Sequence, residues 1–158
     1  MRILVLSDSH GRAGLVEEII EKNPEAEHIF FLGDVLRDLE TAKLLFTDKK
    51  FYAVAGNCDF YADCPSEATA RLGGVKIFYC HGHTLGVKYG TERLFHRAAA
   101  EQADLVLYGH THQANIAQQG ECFMVNPGSV AQARNSRNSY AVIDIDEKGI
   151  FPSIVLVE

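Results

Sequence analysis

Short apolar runs that end abruptly in polar clusters recur along this chain. Each run holds four residues, some of them β-branched or aromatic, and polar residues follow within one or two positions. Such runs are typical of strands that are buried on both faces of a sheet. The five runs occupy residues 3–6, 29–32, 52–55, 77–80 and 105–108, and the clusters that follow begin at Ser7, Gly33, Gly56, His81 and Gly109.

Helical patterns separate several of these predicted strands. Apolar residues recur at the spacing of one helix face and stop at Asn23-Pro24, which is a typical helix end. A second pattern follows the second run, and Thr91 is the expected N-cap of a third helix. The recurring residues are Leu15, Val16, Ile19 and Ile20 in the first pattern, Leu39, Ala42, Leu45 and Phe46 in the second, and Leu94, Phe95, Ala98 and Ala99 in the third.

The second half of the chain is richer in turns. Gly73-Gly74 lies between two strand-like stretches and predicts a hairpin. Further short strands are expected at residues 116–118, 122–125, 140–145 and 150–157. Together with the βαβαβ pattern of the first half, they predict one α/β domain over residues 1–158, with a two-layer or sandwiched sheet and helices outside.

The acidic balance of the chain argues against two classes of partner. Lys and Arg total 15 against 21 Asp and Glu, a formal charge of −6, whereas nucleic acids and membrane surfaces attract a basic face. No apolar run approaches the roughly 20 residues of a membrane span, and the first run is too short for a signal peptide. Since the four cysteines form no Cys-x-x-Cys pair, we expect a reduced, cytoplasmic setting.

The polar clusters are expected to meet at one edge of the sheet. Ligand sites of open α/β sheets lie outside the carboxyl ends of parallel strands. This rule covers the residues after the first three runs, whereas the direction of the last two strands stays open at this point. The residues concerned are Asp8, His10, Asp34 and Asn57 in the first set, and His81, His110 and His112 in the second.

Convergence of these side chains would assemble a metal site. Two aspartates, four histidines and one asparagine amide suit Mn, Fe, Zn, Ni or Co better than a structural zinc site built from thiolates. Seven ligands exceed what one ion usually takes, so two ions are the more natural prediction. Two neighbouring cations need an anion between them, and Asp34 is the candidate bridge because no histidine accompanies it.

Each motif taken alone has an ordinary structural explanation. Asp-x-His and Gly-Asp are frequent in turns and caps, whereas Gly-His-x-His and Gly-Asn-x-Asp each arise by chance in roughly one such chain in forty. The ordered set of motifs, each after a strand, therefore indicates function. A serine hydrolase that uses Ser7 or Ser9 is disfavoured, because the chain has no Gly-x-Ser-x-Gly elbow.

The ordered set resembles the calcineurin-like metallophosphoesterases, and most of all their small YfcE-type phosphodiesterase branch. The resemblance implies a sandwich of two mixed β-sheets flanked by helices, with a dinuclear site at the strand ends. The matching segments are Asp8-Ser9-His10, Gly33-Asp34, Gly56-Asn57-Cys58-Asp59, His81, Gly109-His110-Thr111-His112 and Asn126-Pro127-Gly128-Ser129.

The resemblance also implies a reaction. A hydroxide between two divalent ions would attack a small phosphate ester, with Mn²⁺ as the expected metal and Ni²⁺, Fe²⁺, Co²⁺ or Zn²⁺ as alternatives. Asp34 would bridge the ions, and no nucleic-acid or membrane partner is expected. The implied ligands are Asp8, His10 and His112 for one ion, and Asn57, His81 and His110 for the other.

One position departs from the wider family. Many members carry His where this chain carries Cys58, whereas the YfcE-like branch resembles this chain in having Cys. The group that protonates the leaving group therefore stays open between Cys58 and His83. Asp59 is expected to orient a neighbour or to close a turn. The pair Phe60-Tyr61, directly after Asp59, is either a hydrophobic wall of the cleft or a contact in a homo-oligomer.

A different class of function stays open beside the enzyme. The retromer subunit related to these phosphoesterases is a binding scaffold that has lost part of the ligand set. Every ligand position is filled in this chain, which favours the phosphodiesterase.

Overall fold

The computed structural model describes residues 1–158 as two mixed β-sheets with helices on their outer faces. Two short 3-10 helices, Leu36–Leu39 and His83–Leu85, complete the regular structure. The strands are β1 (Arg2–Leu6), β2 (Ala26–Phe31), β3 (Lys50–Ala53), β4 (Glu67–Leu72), β5 (Val75–Cys80), β6 (Leu105–Leu107), β7 (Ala114–Gln119), β8 (Cys122–Pro127), β9 (Ser139–Asp146) and β10 (Gly149–Leu156), and the α-helices are α1 (Ala13–Glu21), α2 (Glu40–Leu45) and α3 (Glu92–Ala100).

Each sheet combines three adjacent parallel strands with two strands in antiparallel pairing, which lie on one side in the first sheet and on both sides in the second. The first sheet has the order β10-β9-β1-β2-β3, in which β1, β2 and β3 are parallel. The second has the order β4-β5-β6-β8-β7, in which β5, β6 and β8 are parallel. Hairpins add β10 to β9, β4 to β5 and β7 to β8. The predicted α/β sandwich of mixed sheets is therefore confirmed.

The sequence of each strand explains which layer it enters. Alternate residues of the central strands face the interior between the sheets, where Phe30 stacks on Tyr52 and meets Tyr79 edge to face. The other faces lie under the helices. In the first sheet Leu4 packs in the cluster that includes α1, and in the second sheet Phe78 packs in the cluster that includes α3. Burial of both faces accounts for the continuous apolar runs.

The helices follow the predicted patterns with one exception. In α1, Val16, Ile19 and Ile20 are buried, and the Asn23 amide donates to the carbonyl of Ile19 after the helix ends. The second pattern forms a 3-10 turn and only a short α2, and Leu45 is exposed. Leu39 and Ala42 are buried and Phe46 packs against the same cluster, as predicted. The placement of Leu45 on this face was wrong, because the core covers only a narrow strip of the short α2.

The remaining helix, α3, begins directly after Thr91, although the Thr91 hydroxyl makes no capping hydrogen bond. The predicted Gly73-Gly74 hairpin is confirmed as the turn between β4 and β5. None of the helices has the length and apolar character needed to cross a membrane.

Candidate metal centre

The carboxyl ends of the parallel strands of both sheets meet at one edge of the sandwich. Residues after β1, β2 and β3 of the first sheet lie opposite residues after β5 and β6 of the second. All seven predicted ligands are in these positions, and their side chains form two adjoining groups.

The first group consists of Asp8, His10, His112 and Asp34. One potential ligand atom from each of the four lies within 4.8 Å of the others. His112 Nε2 lies 3.1 Å from Asp8 Oδ1 and 3.3 Å from His10 Nε2. His10 Nε2 lies 3.8 Å from Asp34 Oδ2. Four atoms with lone pairs therefore converge on one small volume.

The second group is centred on His81. Its Nε2 atom lies 3.1 Å from Asn57 Oδ1 and 3.2 Å from His110 Nδ1. The same atom lies 3.5 Å from Asp34 Oδ1. Asp34 therefore belongs to both groups, with Oδ2 facing the first and Oδ1 facing the second.

One buried oxygen tests whether the site fits a cation. Asp8 Oδ2 accepts hydrogen bonds from the Ser7 hydroxyl at 2.5 Å and from the His110 backbone at 3.2 Å. Asp8 Oδ1 is also buried but has no aligned hydrogen-bond donor. A buried charged oxygen without a donor costs free energy unless a cation compensates it, and this oxygen points at the neighbouring imidazoles. The donor set therefore fits a metal ion.

Backbone carbonyls fix the orientation of two of the imidazoles. His81 Nδ1 lies 2.6 Å from the carbonyl oxygen of Leu32, and His112 Nδ1 lies 2.7 Å from that of Gln132. A carbonyl only accepts, so Nδ1 carries the proton in both rings. Each neutral ring then turns the Nε2 lone pair toward the centre, as metal-binding histidines do.

The two groups differ in their affinity for protons. Contact with Asp8 raises the pKa of His112. Burial, the largest single influence on Asp8, would raise its pKa, but His112, His81 and Ser7 together outweigh it and lower that pKa. In the second group, burial and then the nearby His81 lower the pKa of His110 to about 4. A metal ion at the first group therefore competes with a proton that His112 binds more tightly than an ordinary histidine does, whereas His110 is a free base at neutral pH.

Left-handed backbone conformations are concentrated at this centre. Eight non-glycine residues have positive φ, and five of them are predicted ligands. Such conformations cost free energy and persist where the surrounding structure holds them, often at functional sites. The five, with their φ values, are Asp8 (56°), His10 (45°), Asp34 (61°), His110 (69°) and His112 (58°).

Close backbone approach explains why glycine starts two of the motifs. A Cβ on Gly56 would collide with the carboxylate of Asp34, and a Cβ on Gly109 would collide with the Ser7 hydroxyl. Only glycine lets the loop after β3 come this near to Asp34 and the loop after β6 come this near to Ser7. The Gly-Asn and Gly-His pairs are thus packing requirements of the centre.

Asp59 acts on the backbone and not on the centre directly. Its Oδ2 accepts hydrogen bonds from the amides of Asp34 and Gly56 at 2.9 and 2.8 Å. Its Oδ1 accepts from Val35 and Leu36 at 3.0 and 2.8 Å. Since Val35 has a φ of 79°, which is unfavourable for a β-branched residue, the carboxylate of Asp59 stabilises the strained turn that carries Asp34. Asp59 is a positioning residue.

Cys58 and His83 lie on either side of the second group. The Cys58 thiol is exposed, and its backbone amide donates to Asp34 Oδ1 at 2.9 Å. Burial and then the charge of Asp34 raise the pKa of this thiol, so it stays protonated at neutral pH. The His83 ring centre lies 5.3 Å from that of His81, and its buried Nδ1 has no hydrogen-bond partner. Burial lowers the pKa of His83, which favours a neutral ring.

Sequence reasoning missed two residues that support the centre. Buried Asp38 accepts hydrogen bonds from the Ser9 hydroxyl at 2.5 Å and the Gly11 amide at 2.9 Å, on both sides of His10. Ser129 donates to the carbonyl of Asp8 and accepts from the amide of Gln132, whose carbonyl orients His112. The Asn-Pro-Gly-Ser segment was the only sequence signal for Ser129, and nothing in the pattern marked Asp38.

Comparison with known proteins identifies the family. A model of the calcineurin-like phosphoesterase superfamily domain matches residues 1–148. The chain belongs to this superfamily. It is 35% identical over 149 residues to the probable metallophosphoesterase YsnB of Bacillus subtilis, covering 92% of this chain and 85% of YsnB. It is 31% identical over 170 residues to the phosphodiesterase YfcE of Escherichia coli, covering 92% and 89%. The chain is therefore a metallophosphoesterase of the YfcE-type branch, as predicted.

Solved structures agree with this assignment. A conserved protein of Streptococcus pneumoniae TIGR4, described as a predicted phosphoesterase, matches with a TM-score of 0.85 and 32% identity, covering 98% of this chain and 88% of that chain. Another relative has a name that does not refer to an esterase. Vacuolar protein sorting-associated protein 29 of Schizosaccharomyces pombe is 32% identical over 165 residues, covering 100% of this chain and 84% of that protein.

The four hydrogen bonds to Asp59 make a prediction about stability. We expect Asp59→Ala to lower the free energy of unfolding of the metal-free protein by about 3 kcal/mol, because amides in a strained turn lose a charged acceptor. Urea unfolding followed by circular dichroism measures the change. Asp63→Ala is the control, since Asp63 is exposed nearby. Equal stability of the two variants would contradict the positioning role.

The low pKa of His110 makes a prediction about pH. In the metal-free protein we expect His110 to titrate near pH 4. An unfolded histidine titrates near pH 6.5, so the folded state binds this proton more weakly. The contribution of His110 to stability is thus complete above that pH and is lost as the pH falls toward 4.

NMR of the histidine ring protons measures this titration directly. The exposed His96 on α3 serves as an internal reference in the same spectra. A His110 resonance that titrates at or above the ordinary histidine value would contradict the prediction.

Proposed function

We propose that this metallophosphoesterase is a phosphodiesterase that hydrolyses small phosphate diesters at a dinuclear metal site. The observation that carries the proposal is the position of Asp34. Its two oxygens face different groups of donors, 3.8 Å from His10 Nε2 and 3.5 Å from His81 Nε2. A carboxylate in this position is suited to bridge two cations.

The proposed ligands divide as the two groups do. Asp8, His10 and His112 would hold one ion, Asn57, His81 and His110 would hold the other, and Asp34 would serve both. When bound, the two ions lower the pKa of water to supply hydroxide, polarise the phosphoryl oxygens and stabilise in-line displacement. Oxygen and imidazole donors without thiolate favour Mn²⁺, with Fe²⁺, Co²⁺, Ni²⁺ and Zn²⁺ as alternatives.

The site can bind an anionic substrate only when the negative charge of its carboxylates is compensated. Asp8 and Asp34 are buried carboxylates in a chain of formal charge −6. Divalent cations between them reverse the local charge, so the cleft attracts a phosphate diester. The substrate class follows from this reversal and from the name of the relative YfcE.

Three further residues have proposed roles in the reaction. Cys58 is the proton donor to the leaving group, because its thiol is protonated and exposed beside Asp34. A thiol is a weak donor, so esters with good leaving groups react best. His83 contacts the phosphate, because its ring centre lies 5.3 Å from that of His81 and 6.0 Å from that of His110. Asp59 holds the turn of Asp34. We also propose that residues 1–158 act as one domain in the cytoplasm.

A protein-binding scaffold is the second candidate function. The relative named vacuolar protein sorting-associated protein 29 favours it, since its name denotes sorting and not hydrolysis. The complete donor set of this chain favours the enzyme.

Metal content and activity test the dinuclear proposal. We expect metal-free protein to be inactive on bis(p-nitrophenyl) phosphate and Mn²⁺ to restore turnover. Elemental analysis should find two ions in the wild type, about one in His112→Ala and almost none in Asp34→Ala, because Asp34 serves both ions. Asp34→Ala should lose about 10³-fold in kcat/KM.

Asp48→Ala is the matched control, because the side chain of Asp48 is 78% exposed and pairs only with Lys49. Absence of hydrolysis at saturating Mn²⁺, Co²⁺ or Ni²⁺ would favour the scaffold. A single ion in the active wild type would contradict the bridging role of Asp34.

Leaving-group dependence tests the role of Cys58. Nitrophenolate departs without a proton, so Cys58→Ala should change kcat for bis(p-nitrophenyl) phosphate by less than about two-fold. For a diester with an alkyl leaving group, the same variant should be slower by about tenfold or more. Cys122→Ala, in the remote β8, is the control. An equal effect on both esters would exclude the thiol as the acid.

A further inference from the structure

A groove of about 700 Å³ opens beside the proposed metal centre. One wall is the segment that follows Asp34, and the other is the loop that follows Asn57. The residues of the two walls used below are Arg37, Glu40 and Lys43 on one side, and Phe60, Tyr61 and Asp63 on the other.

The inner end of the groove borders the centre at Cys58 and Asp59. Cys58 lines the groove, and its amide donates to Asp34 Oδ1 at 2.9 Å. Asp59 also lines the groove and joins its walls, because its Oδ1 accepts from Val35 and Leu36 across the gap. None of the seven proposed ligands lines the groove, so Cys58 stands between the groove and the centre, and a diester that occupies both would pass this side chain.

Two aromatic side chains at the groove are exposed to solvent. Phe60 is 84% exposed and Tyr61 is fully exposed, at 102% of the reference area. Phe and Tyr present flat apolar faces, and aromatic rings pair with other flat rings in offset-stacked or edge-to-face contacts.

The charges of the groove indicate an uncharged occupant. Arg37 and Lys43 contribute two positive charges, and Glu40 and Asp63 contribute two negative ones. The carboxylate of Asp59 is already occupied by four amides. An additional phosphate would gain little here, whereas a neutral ring with polar edges finds donors, acceptors and aromatic surface.

We infer that this groove binds the non-leaving arm of the diester when that arm carries an uncharged aromatic ring, such as a nucleobase. The inference rests on the proposed phosphodiesterase function. A groove of this volume is in the range of small-molecule sites and accommodates a nucleoside. The ring lies against Phe60 and Tyr61 while the phosphate remains at Asp34.

Two substrates with the same leaving group test the inference. Methyl p-nitrophenyl phosphate has no ring in its non-leaving arm, whereas thymidine 5′-(p-nitrophenyl phosphate) has a nucleobase. We expect the Mn²⁺-loaded wild type to prefer the thymidine ester by about tenfold in kcat/KM, as one stacked base allows. The double variant Phe60→Ala/Tyr61→Ala should lose most of this ratio through a higher KM.

Tyr89→Ala is the matched control. Tyr89 is 97% exposed, like Tyr61, but lines a different depression of the surface. This variant should retain the wild-type ratio. An unchanged ratio in the double variant would overturn the inference, and so would a change from dimer to monomer in gel filtration, which would make the two rings a subunit contact.

A binding measurement separates failure of the inference from failure of the proposed function. Thymidine 5′-phosphate added to metal-free, ¹⁵N-labelled wild type should shift amide resonances of residues 35–43 and 58–64, and not those of the double variant. These shifts without hydrolysis of either ester would overturn the phosphodiesterase and retain the groove. Hydrolysis of both esters without these shifts would overturn the groove alone.

Discussion

Burial of two carboxylates at the meeting edge of two sheets is the constraint around which this structure is built. Asp8 and Asp34 are almost fully removed from solvent, and one oxygen of Asp8 has no protein donor. Imidazoles and backbone amides surround them, but neutral groups compensate only part of such a charge. The same arrangement includes the strained turns, the close-packed glycines and the oriented histidines, and together they form a site that fits cations.

The sequence was sufficient for the fold class and for the set of residues at the centre. Strands buried on both faces leave continuous apolar runs, and the parallel arrangement aligns whatever follows them. Asp8 and Asp34 were therefore predictable from the first sheet alone. His81 and His110 required the direction of β5 and β6, which their short apolar runs do not encode, and the parallel pairing of these strands supplies it.

Supporting interactions were beyond the sequence because they join residues that are distant along the chain. Asp38 holds the loop of His10 from 27 positions away, and Ser129 holds the backbone of Asp8 from 121 positions away. Neither residue has a local pattern that distinguishes it from an ordinary turn or helix residue. The second helix was predicted, but Leu45 was wrongly placed inside, because apolar periodicity does not show how wide a face of a short helix the core covers.

The carboxylate of Asp59 divides its loop into two parts with different freedom. Residues 56–59 are held to the first sheet by its hydrogen bonds, whereas Phe60 and Tyr61 project into solvent just beyond them. If the groove binds part of the substrate as proposed, substitutions at 60 and 61 would change which substrates are accepted while the hydrogen bonds of Asp59 keep Asp34 in place.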